Sequence, residues 1–289
     1  MLDLIDLDIP SLGYTRFISA WVYQGEAGAF LIDPGPTCTL DRLCEALARR
    51  GVTKLDFILL THIHMDHAGA IGHMAERFPE AKIVCHEKAV PHLIDPARLW
   101  EGSLKTLGHV AEVYGEIKPV PEERVSADYR IDFGSGIRAV DTPGHAPHHL
   151  CVVFENELFC GELFGIFQDL GGRIYLRPAT PPRFVADAFF RSMDEIAPYI
   201  QRTIRFAHYG SHPDGPEILR LAREQLQLWI DVVREHVENP DMEAIIADLT
   251  ARDPIYRQIH ELPPAIYGRA RYFTRSSING MLGYLTSAG

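Results

Sequence analysis

Apolar and polar positions along this chain form two strand-rich stretches, with helical segments between and after them. Residues 17–23 and 29–32 are apolar, aromatic and β-branched, with a glycine turn at 25–28 between them, which predicts a pair of strands. Asp33-Pro34-Gly35-Pro36 ends the second. Leu40 to Arg50 has helical spacing and stops at Gly51, as a helix closed by glycine should. Residues 57–61 are a continuous apolar run of strand length, expected of a strand buried on both faces. A helix over 68–78 and a strand over 82–85 come next. Residues 87–114 read as mostly helical, interrupted by Pro91 and Pro96. A second strand set follows at 129–131, 137–140, 150–154 and 158–160, with Asn156 in the tight turn joining the last two. Then come a helix over 184–200 and a short strand over 203–206. Past Pro216 the strand pattern stops, and helices are predicted over 217–237, 242–249 and 272–285. The change of character near 211–216 divides the chain into an α+β domain over 1–212 and a C-terminal helical extension, 213–289, packed on it.

Composition narrows the function. Lys and Arg number 28 against 39 Asp and Glu, a formal net charge of −11. That argues against a nucleic-acid partner, which would need a basic footprint. No apolar run approaches the ~18 residues that span a bilayer. Met1 to Asp6 carries acids where a secretory signal carries Lys or Arg, so a cytoplasmic location is expected. The five cysteines are odd in number, lack C-x-x-C spacing and read as reduced, buried residues. Histidine stands out, with 14 residues, and several of them cluster.

Thr61-His62-Ile63-His64-Met65-Asp66-His67 sets four metal-type side chains immediately after a buried strand. His62 and His64 are two apart and point the same way if strand geometry continues; Asp66 and His67 fall on the loop into the next helix. Imidazoles and a carboxylate this close are hard to satisfy in a core without a cation. His145 follows another strand through the Pro143-Gly144 turn, His208 ends a third, and Glu162 follows a fourth. Four strand ends thus deliver ligand-type residues, as a shared cleft requires. No G-x-S-x-G nucleophile elbow is present.

The order His62-x-His64-x-Asp66-His67, then His145, an acid at Glu162 and His208, resembles the metallo-β-lactamase-fold metallohydrolases. Thr142-Pro143-Gly144-His145 and Asp33-Pro34-Gly35 match further short signatures of that superfamily. Within it the chain looks most like the glyoxalase II and lactonase-like branch. The resemblance implies a four-layer αββα sandwich. It implies two divalent metal ions, with zinc preferred and iron or manganese as alternatives. His62, His64 and His145 would hold the first, Asp66, His67 and His208 the second, and Glu162 would bridge. Asp66 is also the catalytic candidate. The family usually carries Asp at the bridging place, so Glu162 is a departure, with Asp169 as the substitute nearby. Asp33 is expected to hydrogen-bond beneath the ligands. His148 and His149 are assigned supporting roles; His73, His86, His92 and His109 are read as structural. Phe164, Phe167, Tyr175, Tyr209, His212 and Arg173 are weighed as pocket residues against core, loop or surface roles.

The expected function is hydrolysis of a small ester, thioester or lactone by metal-activated water. The alternative is a diiron or mononuclear iron redox enzyme of the oxygen or nitric oxide reductase or sulfur dioxygenase type. The partners expected are a small-molecule substrate, with no nucleic acid and no membrane; a homodimer is left open.

Overall fold

The computed structural model describes residues 1–131, 133 and 136–287, so the last two positions of the expected extension lie outside the described residues. Strand β1 (Leu2–Ile9) shows how the pattern is used. Its sequence alternates apolar and acidic residues, and Ile5, Leu7 and Ile9 turn inward together, as period-two alternation requires. The acidic N-terminus, read from sequence only as unlike a leader, is therefore an added strand. It pairs antiparallel with β2 (Tyr14–Gly25), which pairs with β3 (Gly28–Ile32). Helix α1 (Leu40–Arg49) leads to β4 (Phe57–Leu59), and α2 (Met65–Ala68) and α3 (Ile71–Arg77) lead to β5 (Lys82–Val84). Helices α4 (Val90–Ile94), α5 (Ala97–Leu107) and α6 (His109–Tyr114) precede β6 (Val125–Ser126). This first sheet runs β1-β2-β3-β4-β5-β6, parallel from β3 onward.

The second sheet is built from β7 (Arg130–Ile131), β8 (Ile137–Asp141), β9 (Leu150–Phe154), β10 (Glu157–Gly161), β13 (Thr203–Phe206) and β14 (Ser211–His212), in the order β14-β13-β10-β9-β8-β7. Between β10 and β13 lie a separate hairpin, β11 (Ile166–Asp169) with β12 (Ile174–Arg177), and helix α7 (Ala186–Ile196). The chain closes with α8 (Gly215–Glu235), α9 (Met242–Arg252) and α10 (Pro264–Ser287).

Three apolar cores identify the layers. Phe30, Ile32, Leu59 and Val84 of the first sheet meet Ile137, Val152, Phe154 and Phe159 of the second. Their neighbours point the other way. Leu31 and Ile58 pack with Leu43 and Leu47 of α1 and Ile71 and Met74 of α3; Val153 and Leu158 pack with α7 and α8. Each strand thus contributes side chains to two interfaces, and helix, sheet, sheet, helix is the only stacking that buries both. Each fully buried aromatic or aliphatic side chain contributes roughly 1.5–3 kcal/mol. Helix α10 joins two of the cores, with Phe273 packed on the first-sheet side and Ile278 and Met281 on the second.

The last helix begins at Pro264, not 272. Its buried face includes Arg269, Thr274 and Ser277, so its inward stripe looks polar in sequence. Three of the five cysteines are buried as expected, but Cys38 is exposed and Cys44 half-buried. Among the described residues, no helix is long and apolar enough to cross a membrane.

Candidate metal centre

The site lies where the carboxyl ends of the central strands face one edge of the sandwich, the place where open α/β sheets collect ligands. Residues after β4 carry His62, His64, Asp66 and His67, and the turn after β8 carries His145. Glu162 follows β10 and His208 follows β13. All seven come together. Donor atoms of His62, His64, His145 and Glu162 lie within 4.8 Å of one another, and so do those of Asp66, His67 and His208. The Glu162 carboxylate stands between the groups. Its Oε2 is 2.9 Å from His145 Nε2, 3.3 Å from His62 Nε2 and 3.5 Å from His67 Nε2, and its Oε1 is 3.8 Å from His208 Nε2. Asp66 Oδ2 is 3.4 Å from His208 Nε2.

Local structure explains these directions. Asp33, 1% exposed, accepts from Thr61 N at 2.8 Å and from Thr61 Oγ1 at 2.6 Å, and faces His67 Nδ1 at 3.1 Å. This is the supporting role expected of it. Gly161 is in the left-handed region at φ 52°, and a Cβ there would overlap His149 Nε2 and come within 3.0 Å of Thr61 Cβ. That close approach lets His149 Nε2 accept the Glu162 backbone N–H at 3.1 Å, while its Nδ1 lies 3.1 Å from the Thr142 carbonyl. His149 therefore pins the backbone of Glu162 without pointing at the donor groups.

Hydrogen-bond logic shows that the residues fit cations. A backbone carbonyl only accepts, so a ring nitrogen against it carries the proton. His145 Nδ1 lies 2.8 Å from Ala179 O and His208 Nδ1 2.8 Å from Phe17 O. Both therefore turn a lone pair on Nε2 into the site. Thr61 Oγ1 gives its proton to Asp33, so it accepts from His62 Nδ1 at 3.1 Å, and His62 Nε2 is buried with no hydrogen-bond partner. Donor atoms then face one another: His145 Nε2 to His64 Nδ1 at 3.0 Å, and His208 Nε2 to His67 Nε2 at 3.2 Å. Lone pairs this close repel unless a proton or a metal ion lies between them. Neutral nitrogens and carboxylate oxygens in this mixture suit zinc, iron or manganese.

Titration follows the same geometry. Burial, reinforced by neighbouring imidazoles, holds His62 well below its ordinary value and His64 down at about 4. Burial also works against a charge on His67, but the carboxylates of Asp66, Asp33 and Glu162 outweigh it and raise His67 well above the usual range. Burial would raise Asp66, yet the His67 and His208 imidazoles bring it to about 2; Glu162 is likewise driven well down, by His145, His62 and His67. Without metal, the positive charge the carboxylates demand is a proton on His67. A divalent ion replaces it, so binding metal releases protons.

The other residues weighed in the sequence fall elsewhere. Asp169 caps the β11–β12 turn, accepting from the backbone of Gly171 and Gly172. Arg173 pairs with Glu261 at the surface. Phe164 and Phe167 are core, and His212 bonds to Asp214. Tyr209 lies under the Arg16 guanidinium. Of that set, only Tyr175 lines the cleft beside the centre, with Arg177 and Arg269. In sequence Arg269 belongs to a basic run with Arg271 and Arg275 to which no role could be given; nothing there marks Arg177, nor Ala179, whose carbonyl orients His145.

The fold is that of the Metallo-beta-lactamase superfamily. The model of that family matches residues 13–208, and the chain belongs to it. A metallo-beta-lactamase fold-containing protein of Sulfurisphaera tokodaii is 28% identical over 233 residues, 76% of this chain and 84% of its own length. A hydroxyacylglutathione hydrolase of Cupriavidus metallidurans is 24% identical over 254 residues, 82% of this chain and 81% of its own. A solved metallo-beta-lactamase family protein of Thermus thermophilus superposes with a TM-score of 0.68 at 21% identity, covering 100% of this chain and 94% of that one; that likeness is one of fold.

Proposed function

We propose that the chain is a binuclear metal-dependent hydrolase acting on a small ester, thioester or lactone. One observation carries this reading: a single buried carboxylate, Glu162, stands between two adjacent donor groups whose imidazoles turn lone pairs toward each other. His62, His64 and His145 would hold one ion, Asp66, His67 and His208 the other, with Glu162 shared. Bound ions of this kind supply a nucleophilic water at neutral pH and polarise the scissile carbonyl. The chain's own part is to fix that geometry through Asp33, Thr61 and His149. Apolar walls at Phe17, Ile166, Ile266 and Phe273 exclude water from the acyl group. The similarity to a hydroxyacylglutathione hydrolase supports thioesters as one substrate class to try. A net charge of −11 speaks against nucleic-acid substrates.

The test is elemental analysis of protein purified without added metal, with ester, thioester and lactone hydrolysis measured with and without oxygen. About two ions per chain and oxygen-independent hydrolysis are expected. His64→Ala should empty the first site and remove most turnover, and Asp66→Ala should deplete the second. Wild-type metal content and turnover in either variant would refute the assignment, and activity that requires oxygen would replace it with the iron redox alternative.

A further inference from the structure

Strand β1 carries acids on its outer face. Ile5, Leu7 and Ile9 turn to the core, so Asp6 and Asp8 stand together on the other side. Pairing with β2 is regular up to Leu7 opposite Ile18 and resumes at Ile9 opposite Tyr14. Between those pairs β1 supplies one residue, Asp8, and β2 supplies three, Thr15, Arg16 and Phe17. Strand β2 therefore bulges, and a bulge takes backbone groups out of the ladder and re-aims them.

All three carbonyls of the bulge point to the centre and its walls. Phe17 O faces His208 Nδ1 at 2.8 Å, and the Phe17 ring centre lies 5.0 Å from that of the imidazole. Thr15 O accepts from Arg269 at 2.8 Å; Arg16 O accepts from Arg269 at 3.1 Å and from Gln168 Nε2 at 3.3 Å. The Arg16 N–H is turned the other way, and Asp8 Oδ1 accepts it at 2.7 Å. Arg16 sits at φ 48°, a conformation that a residue with a side chain keeps only where its surroundings enforce it. Asp8 does so from one side. From the other, Tyr209 lies under the Arg16 guanidinium and donates its hydroxyl to Asp6. Beyond the bulge Ser19, the partner of Asp6 in the ladder, donates its N–H to Ala207 O at 2.8 Å and accepts from Gly210 N at 3.0 Å. Strand β2 thus runs along residues 207–210, and the carbonyl that holds the His208 proton belongs to a bulge pinned by Asp8.

Resting on the two-ion reading above, we infer that Asp8 is a positioning residue for the second ion: it holds the β2 bulge whose Phe17 carbonyl keeps the His208 proton on Nδ1 and its Nε2 lone pair in the site. Asp8 acts through Arg16 and Phe17, not on the ion itself. Losing the group that orients a ligating imidazole costs about 10–100-fold in metal affinity, and that loss should fall on the ion held by His208.

Cobalt(II) titration of the metal-stripped full chain, followed by visible absorption and fitted for two sites, tests this, with Asp66→Ala marking which transition belongs to the second ion. Asp8→Ala should weaken the second ion by about tenfold or more and the first by less than about threefold. Asp8→Asn, whose side-chain oxygen still accepts the Arg16 N–H, should stay within about threefold of wild type at both. Unchanged second-ion affinity in Asp8→Ala overturns the role. Equal weakening of both ions, or an asparagine variant as weak as the alanine one, overturns it too. NMR of the metal-free chain gives a reading without any ion. The His208 Nδ1 proton should exchange slowly in wild type and Asp8→Asn, and about tenfold or more faster in Asp8→Ala once its acceptor shifts; unchanged exchange overturns the role. If Asp8→Ala does not fold by circular dichroism, Asp8→Glu takes its place, because the added methylene carries the acceptor past the Arg16 N–H. A chain that binds no cobalt removes the two-ion reading and leaves proton exchange to decide on Asp8. Selective loss of the second ion in a chain that hydrolyses nothing removes only the hydrolase reading.

Discussion

The carboxylate of Glu162 has four imidazoles around it, none farther than 3.8 Å from one of its oxygens. Relatives of this fold usually place the shorter aspartate there, and the extra methylene has to be absorbed. We expect the backbone to do so at Gly161, where the β10–β13 register shifts and His149 grips the following amide. Glu162→Gln keeps the shape and removes the charge. It should weaken at least one metal ion by about tenfold or more, roughly 1.4 kcal/mol, in a competitive chelator titration, while Glu162→Asp should lose less. Unchanged affinity in the glutamine variant would show that the carboxylate does not ligate. Gly161→Ala tests the support instead. A Cβ there overlaps His149 and sits on a left-handed residue, so the variant should lose on the order of 1–3 kcal/mol of stability in thermal unfolding. It should also bind metal more weakly, although it removes no ligand atom.

At the scale of elements, helix α10 sets the far side of the centre. Ser277 Oγ accepts from Thr180 N and Thr180 Oγ1 donates to Ser277 O, which holds the segment whose Ala179 carbonyl orients His145. The helix approaches that segment at Gly280, where a Cβ would overlap Thr180 O and lie 2.6 Å from Pro181 O. Gly280→Ala should therefore push the helix off, cost about 1–3 kcal/mol and loosen the metal that His145 would hold, as read in melting temperature and chelator titration. Wild-type values for both would mean that α10 does not position the ligand. This coupling was not legible in the sequence. The clustered side chains were, because His62, His64, Asp66 and His67 belong to residue types that seldom crowd after a buried strand. The partners that aim them are backbone groups, Ala179 O, Phe17 O and the amide of Glu162, and a backbone atom leaves no mark in residue type. Pattern also missed β11 and β12, four residues each, too short to show a period, and the start of α10, whose inner face mixes Arg269, Thr274 and Ser277 with Ile266, Ala270, Ile278 and Met281. The long apolar strands and α8 were legible because burial on a sheet face or helix stripe is what periodicity reports.

His62, His64, His67, His145, His148, His149 and His208 gather with Asp66 and Glu162 at one edge of the sandwich, and this makes stability depend on pH in a definite direction. His64 and His148 are held near 4 and 3, chiefly by burial and then by neighbouring imidazoles, against an ordinary 6.5; His62 and His149 are lowered as well. Above pH 6.5 these groups are neutral in both the folded and unfolded chain, and folding costs them nothing. As pH falls from about 6.5 to 3, the unfolded chain takes up protons that the folded chain refuses, so stability drops. His67 acts in the opposite sense, because its raised value favours the folded state at low pH and that benefit is lost as pH rises through it. Asp66, lowered to about 2, contributes stability above pH 4 that disappears below it. Four lowered histidines against one raised give a net loss on acidification. The metal-free chain should lose on the order of 2 kcal/mol or more between pH 7 and pH 4. Metal-loaded protein should start more stable and fall more steeply, since the ions require the ligand imidazoles neutral and leave as they protonate. Melting temperatures across pH 4–8, with and without chelator, check this. The two curves should converge near pH 4, and parallel curves over the whole range would show that the imidazole cluster holds no metal.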